Sequence, residues 1–286
     1  MASSQSSINS SIPPLKPTHP IAKELNEPPH LQNLINILKL QSHIEGGYFV
    51  ETDRDTLLVP NPFLQPPTNP VQTFTSSTGS VSTAPTPASN HGAPAHTSQD
   101  PMATGPSGAG KIDDDDSTRN ASTTIHYMLT PSMQMGHFHR NKGRTIHTLH
   151  RGRGRYVLIH ADEVLASYDD DSNLSSSSQE PGKKLNPNTD ERALKSGKAK
   201  ARVETFVVGT DVEKGERVQW IVEGGKYKAS FLLECERDGK QEPLLISETV
   251  VPGFEFKDHD FLTLERFGRL LGEEQRSELE WLVRRE

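Results

Sequence analysis

Apolar residues first recur at helical spacing between about residues 29 and 40, where Leu31, Leu34, Ile35, Ile37, Leu38 and Leu40 share one face. Beyond residue 120 the spacing changes to the alternation of strands. The segments 123–129, 155–160, 204–208, 218–222, 229–233 and 244–247 are short, rich in β-branched and aromatic residues, and separated by turn signals. Glycines in Arg151-Gly152-Arg153-Gly154, Glu223-Gly224-Gly225-Lys226 and Pro252-Gly253 mark those turns. Near the end, Leu264, Phe267, Leu270, Leu271, Leu279, Trp281 and Leu282 stand among charges, the pattern of a helix or helix pair packed on a domain. The whole predicts an all-β sandwich or barrel flanked by helices.

Three stretches carry no such pattern. Residues 1–28 are Ser- and Pro-rich, about 60–117 collapse to small and turn-forming residues ending in Asp113-Asp114-Asp115-Asp116, and about 169–200 run from serines into lysines. They predict a disordered tail and two disordered insertions in a domain spanning 29–264, followed by a C-terminal helix over 265–286. The acidic run reads as a solvated surface rather than a metal site. A hydrophobic fraction of 32% agrees with a chain that is only partly packed.

With 31 Lys and Arg against 38 Asp and Glu, the net charge is -7, which argues against nucleic acid or an anionic membrane as partner. No leader pattern or membrane-length apolar run occurs in the sequence, so a cytoplasmic location, with nuclear access open, is the expectation. The single cysteine, Cys235, follows Phe231-Leu232-Leu233 and reads as strand rather than as an activated thiol.

The chemistry concentrates in histidines. His137 and His139 are two apart in strand-like context and should project from one face, the geometry of two adjacent metal ligands. His147 and His150 are three apart and should face opposite ways, with His147 sharing the face of Thr145. Glu45-Gly46-Gly47-Tyr48 lacks the spacing and the Lys-Ser/Thr ending of a phosphate loop and reads as a tight turn beside a strand.

Gly136-His137-Phe138-His139, Thr145 and Gly152 resemble the first motif of the cupins, and Gly215 through Lys228 resembles the second. The segments His43 to Arg54, Ser122 to Pro131 and Val250 to Phe256 further resemble an RmlC-like cupin family with a fungal branch. The resemblance implies a double-stranded β-helix, the cupin jelly roll, and a homodimer. It also implies a site of three His and one Glu for a metal. Here Thr145 stands where that Glu would be and Lys228 where the last His would be, so no tightly bound metal is expected. A three-His set of His137, His139 and His147 is the alternative that would restore one.

Without a metal, the expected ligand-binding residues are His137, His139, His147, Lys228, Tyr48 and Arg144, with Arg54 as a further cation, and they favour a small polar or anionic metabolite. Candidate catalytic residues are His137, His139 and Tyr48, with Tyr127 as a second phenol, the His base and Tyr acid that RmlC-type epimerases use. Tyr127 also reads as a core aromatic, and His126 as outward-facing. Three functions stay open: a binding protein, a metal-independent isomerase, and a metal-dependent oxygenase. Replacing Lys228 by Ala is expected to weaken an anionic ligand while hardly altering the fold.

Overall fold

The computed structural model describes residues 5–19, 26–64, 116–164 and 200–285. Most of both predicted insertions lies outside the described residues. Helix α1 (Pro29–Leu38) starts on a proline, which fits a first turn with no N–H partner, and ends at Lys39 in a left-handed cap. The strands in chain order are β1 (Gln41–Ser42), β2 (Tyr48–Arg54), β3 (Leu58–Pro60), β4 (Thr118–Asn120), β5 (Thr123–Leu129), β6 (Met135–Asn141), β7 (Arg144–Arg151), β8 (Gly154–Ile159), β9 (Val203–Val208), β10 (Gln219–Val222), β11 (Tyr227–Leu232), β12 (Glu236–Arg237), β13 (Lys240–Gln241), β14 (Leu244–Val251) and β15 (His259–Phe261). Two short helices close the chain, α2 (Leu264–Leu270), capped by the Thr263 hydroxyl, and α3 (Glu273–Leu279).

Two antiparallel sheets form the expected jelly roll. One runs β1-β2-β5-β14-β7-β10 and the other β15-β6-β11-β8-β9. Alternation sorts the side chains into three layers. Tyr127, Tyr156, Leu158, Phe206, Trp220, Leu232, Leu244 and Ile246 fill the space between the sheets. Their neighbours Val157, Ile159, Tyr227, Ala229 and Phe231 turn to the outer face of the five-stranded sheet, beneath Phe267, Leu270 and Leu279 of the C-terminal helices. Ile35 and Leu40 meet Tyr48 and Met128 on the outer face of the other sheet.

Residues 5–19 depart from the expected free tail. Leu15 is buried in the outer core, Ile8 and Ile12 pack against it, and Glu278 accepts hydrogen bonds from the Ser7 and Leu15 amides at 2.8 and 2.7 Å. The apolar spacing of Ile8, Ile12 and Leu15 was too sparse to read as an element, yet all three join the outer core that Phe267, Leu270 and Leu279 share. No helix among the described residues is long and apolar enough to cross a membrane.

Candidate functional site

The parity that should aim His137 and His139 together fails at a single point. The pairing of β6 with β11 passes from Ser230 opposite Gly136 to Lys228 opposite His139, so three steps on β6 face two on β11. That is a β-bulge, and it reverses the alternation within β6. Gly136 and His139 therefore point inward: a Cβ on Gly136 would meet the Tyr127 hydroxyl at 2.5 Å. His137 is turned out of the barrel and lies against the backbone of Leu282 and near Arg284. Its contribution to the interior is its carbonyl, 2.8 Å from His139 Nδ1.

Three further expected residues lie outside the cavity. Tyr48 belongs to the outer layer under α1, its hydroxyl donating to Glu27 at 3.0 Å, because it pairs with Met128 while the inward face of β2 belongs to Phe49. Arg144 is half-exposed and pairs with Glu223 at 3.4 Å. Arg54 pairs at the surface with Glu51 and Glu255. On β7 the predicted alternation holds: Thr145 and His147 are buried, and His150 is exposed beside His126 on the other side.

Two clusters meet in the interior. In the first, Lys228 Nζ lies 3.0 Å from His147 Nε2 and donates a short hydrogen bond to Glu248, with the amine only 3% exposed. His147 stacks on Trp220 with ring centroids 5.0 Å apart. Burial would raise the Glu248 carboxyl, but Lys228 and His147 outweigh it and hold it well below the usual carboxylate range. Burial, with Lys228 adding to it, lowers His147.

The second cluster was not foreseen as a set. Glu45 is carried on a turn whose Gly46 and Gly47 have φ of +100° and +72°, a region glycine enters without strain. A Cβ on Gly46 would stand 2.2 Å from the Met135 carbonyl. Tyr127 Oη donates to the Gly46 carbonyl at 2.8 Å, and the His137 amide donates to the Glu45 carbonyl at 2.7 Å, pinning the turn to β5 and β6. The Glu45 carboxylate then meets His139 Nε2 at 3.2 Å and His259 Nε2 at 2.9 Å, with His43 Nδ1 at 3.5 Å. His259 comes from β15, and its ring stacks on His139 at 5.4 Å.

Burial lowers His139 to about 4 against the pull of Glu45, with Lys228 and His259 lowering it further. Burial lowers His43 too, again against Glu45. Burial opposes the ionised form of Glu45 itself, but its imidazole neighbours and Lys228 bring the carboxyl below its ordinary range. Tyr127 and Tyr156 are pushed well above their ordinary value, by burial first and the two carboxylates next, so both phenols stay protonated.

Glu45, Tyr127, His139, Tyr156, Lys228, Ala229, Ser230 and Glu248 line one cavity between the sheets. Their side chains close on one another and leave no volume for a water molecule, so a ligand enters only where the lining moves apart. Glu45, His139 and His259 each offer an atom within 4.8 Å of the others, an arrangement able to hold a metal ion. The alternative set of His137, His139 and His147 is not brought together: the bulge removes His137, and His147 is engaged by Lys228 and Glu248.

A family model described as Cupin superfamily (DUF985) matches residues 32–262. The chain is 33% identical over 284 residues to the uncharacterized protein YML079W of Saccharomyces cerevisiae, with 99% of each chain covered. A hypothetical protein from Leishmania major superposes with a TM-score of 0.49 at 20% identity, over 87% of this chain and 96% of that one. A Shewanella oneidensis protein does so with a TM-score of 0.48 at 16% identity, over 89% and 98%. The family match over most of the chain and the end-to-end likeness to the yeast protein agree with the jelly roll described above, and the chain belongs to the cupin superfamily, in its DUF985 family.

Proposed function

We propose that the protein binds a small, neutral, polar metabolite bearing hydroxyl or carbonyl groups in the cavity between the sheets. The observation that carries this reading is the charge pattern of the lining. Lys228, read from sequence as a free cation for an anionic ligand, is already matched by Glu248. Glu45 adds a second carboxylate whose ion-pair partners among the described residues are all histidines. A carboxylate or phosphate ligand would enter against that excess negative charge, whereas a neutral hydroxylated compound would find donors in Tyr156, Ser230 and Lys228 and acceptors in both carboxylates. The lining is closed in the structure and has to open to admit a ligand, which favours a compound of a few heavy atoms over a whole sugar nucleotide.

Proton transfer on such a compound is the second reading, favoured by the amine of Lys228 standing 3.0 Å from a lowered, neutral imidazole at His147 beside two protonated phenols. Thermal unfolding in the presence of pentoses, hexoses, small hydroxyketones and small dicarboxylates tests the main reading. At a hundredfold excess over Kd, a native-state ligand adds about 2.7 kcal/mol, a readily measured rise in Tm. Neutral probes are expected to give it and dicarboxylates to give none; the reverse order, or no rise with any probe, refutes the reading. Incubation of a stabilising probe in D2O, followed by proton NMR, tests the second: loss of the signal beside the carbonyl at a rate above the protein-free control is expected if proton transfer occurs, and no excess loss refutes it.

A further inference from the structure

We infer that Glu45, His139 and His259 form a binding site for one divalent transition-metal ion, with its free coordination positions turned toward the cavity. This set is distinct from the one that the motif resemblance implied, sharing only His139 with it; because a dication here would offset the Glu45 charge, the ligand reading above applies to the metal-free chain and its unfolding assay is run in EDTA.

The first ground is the orientation of His139. His139 Nδ1 lies 2.8 Å from the His137 carbonyl, which can only accept, so Nδ1 carries the hydrogen. In the neutral ring Nε2 is then a bare lone pair, and it points at a carboxylate oxygen 3.2 Å away. A cation between them, whether a proton on Nε2 or a metal ion, makes that contact favourable. The orientation of His139 is also the one metal-bound histidines adopt, the outer nitrogen held by a carbonyl and the inner one presented to the ion.

The second ground is spacing. With metal–ligand bonds of about 2.0–2.2 Å, adjacent ligand atoms sit about 3.0 Å apart in an octahedral site and about 3.4 Å apart in a tetrahedral one. The separations of 3.2 Å from His139 and 2.9 Å from His259 to the carboxylate fall on that scale. The third is charge. Lys228 and Glu248 cancel, which leaves Glu45 as a buried carboxylate, 8% exposed, with no Lys or Arg pairing with it among the described residues. Leaving such a charge uncompensated is costly, and a dication offsets it. Two imidazoles and one carboxylate suit Zn, Fe(II), Mn, Co or Ni rather than Ca or Mg. His43 is not a fourth ligand through Nδ1, because that atom accepts the Glu45 amide at 3.2 Å.

The test uses the untagged full chain, stripped with EDTA and titrated with Zn2+ and with Co2+ by calorimetry and visible absorption. One ion per chain is expected, with Mg2+ and Ca2+ giving no binding. Glu45→Gln and His259→Asn should each weaken affinity more than about tenfold, while His137→Ala, which keeps the carbonyl, and the surface change His126→Ala should leave it unchanged. Independently of any variant, substoichiometric Mn2+ should broaden the imidazole NMR signals of His139 and His259 before those of His126 and His150. Absence of binding up to roughly millimolar Zn2+ and Co2+, native affinity in a folded His259→Asn or Glu45→Gln, or broadening of the surface histidines alone overturns the inference.

Discussion

Replacing Lys228 by Met keeps most of the side-chain volume and removes the charge, and the structure makes this an expensive change. The amine is 3% exposed and Glu248 7%, so the variant strands a carboxylate in the barrel beside a neutral imidazole. Removing one partner of a buried pair costs about 3–5 kcal/mol. For a domain of this size that is a fall in Tm of roughly 6–20 °C. The double replacement Lys228→Met with Glu248→Leu exchanges the pair for apolar groups and should return to within about 2 kcal/mol of the native protein. The assay is urea unfolding in EDTA at pH 7.5, followed by the fluorescence of Trp220, which reports on the cluster because it stacks on His147. The stranded Glu248 takes up a proton more readily than the paired one, so the deficit of Lys228→Met should shrink as pH falls toward 5. A single variant within about 1 kcal/mol of native, or a double no better than the sum of its singles, would refute the buried pair, and the first of these results would uphold the expectation from sequence that position 228 is indifferent to folding.

His147 is lowered by burial, so the folded protein holds it neutral where the unfolded chain protonates; stability should be full above the ordinary imidazole value of 6.5 and decline as pH falls below it, a slope that His147→Gln should flatten in denaturant titrations from pH 8 to 5. The depressed Glu248 acts in the same direction lower down, its contribution fading as pH falls below 4.5. Gly46→Ala should lose more than about 2 kcal/mol, since it combines a φ of +100° with a Cβ 2.2 Å from a backbone oxygen, whereas Gly215→Ala, at +82° in open space, should lose only about 1–2 kcal/mol of backbone strain; equal urea midpoints for the two would contradict the turn described. Leu15→Ala should cost about 2–5 kcal/mol if the N-terminal segment is docked, and a midpoint unchanged from native would show that it is not.

The strands and the outer helices were legible because each rests on alternation or helical spacing over five or more residues: the segment 123–129 coincides with β5, and Leu31 and Ile35 bury the predicted face of α1. Glu248 was within reach of the same logic. Leu244 and Ile246 face inward, and carrying their two-residue step one further arrives at a carboxylate on the core side, which in a buried strand demands a cation. Glu45 and His259 were not reachable that way, since one sits on a glycine turn and the other on a three-residue edge strand, and periodicity is silent about which turn meets which edge.

His137 failed for a different reason, and it is the more instructive one. A β-bulge adds one residue to one strand and leaves no mark in an alternating pattern, yet it moves every inward position beyond it to the opposite parity. Had β6 paired regularly with β11, the inward positions set by Gly136 would have been Phe138 and Arg140, with both histidines outside the barrel. The extra residue brings His139 inward opposite Lys228, leaves Phe138 in the outer core against Phe267, and turns the His137 carbonyl onto His139 Nδ1. The bulge therefore does two things at once: it selects which of the two histidines serves the cavity and fixes that histidine's tautomer. Deleting His137 leaves His139 two residues from Gly136, so regular pairing keeps it inward opposite Lys228 but removes the carbonyl that holds its Nδ1, and Zn2+ binding at Glu45, His139 and His259 should weaken more than about tenfold. A folded deletion variant that binds Zn2+ with native affinity would separate the metal site from the bulge and break this account of how the site is built.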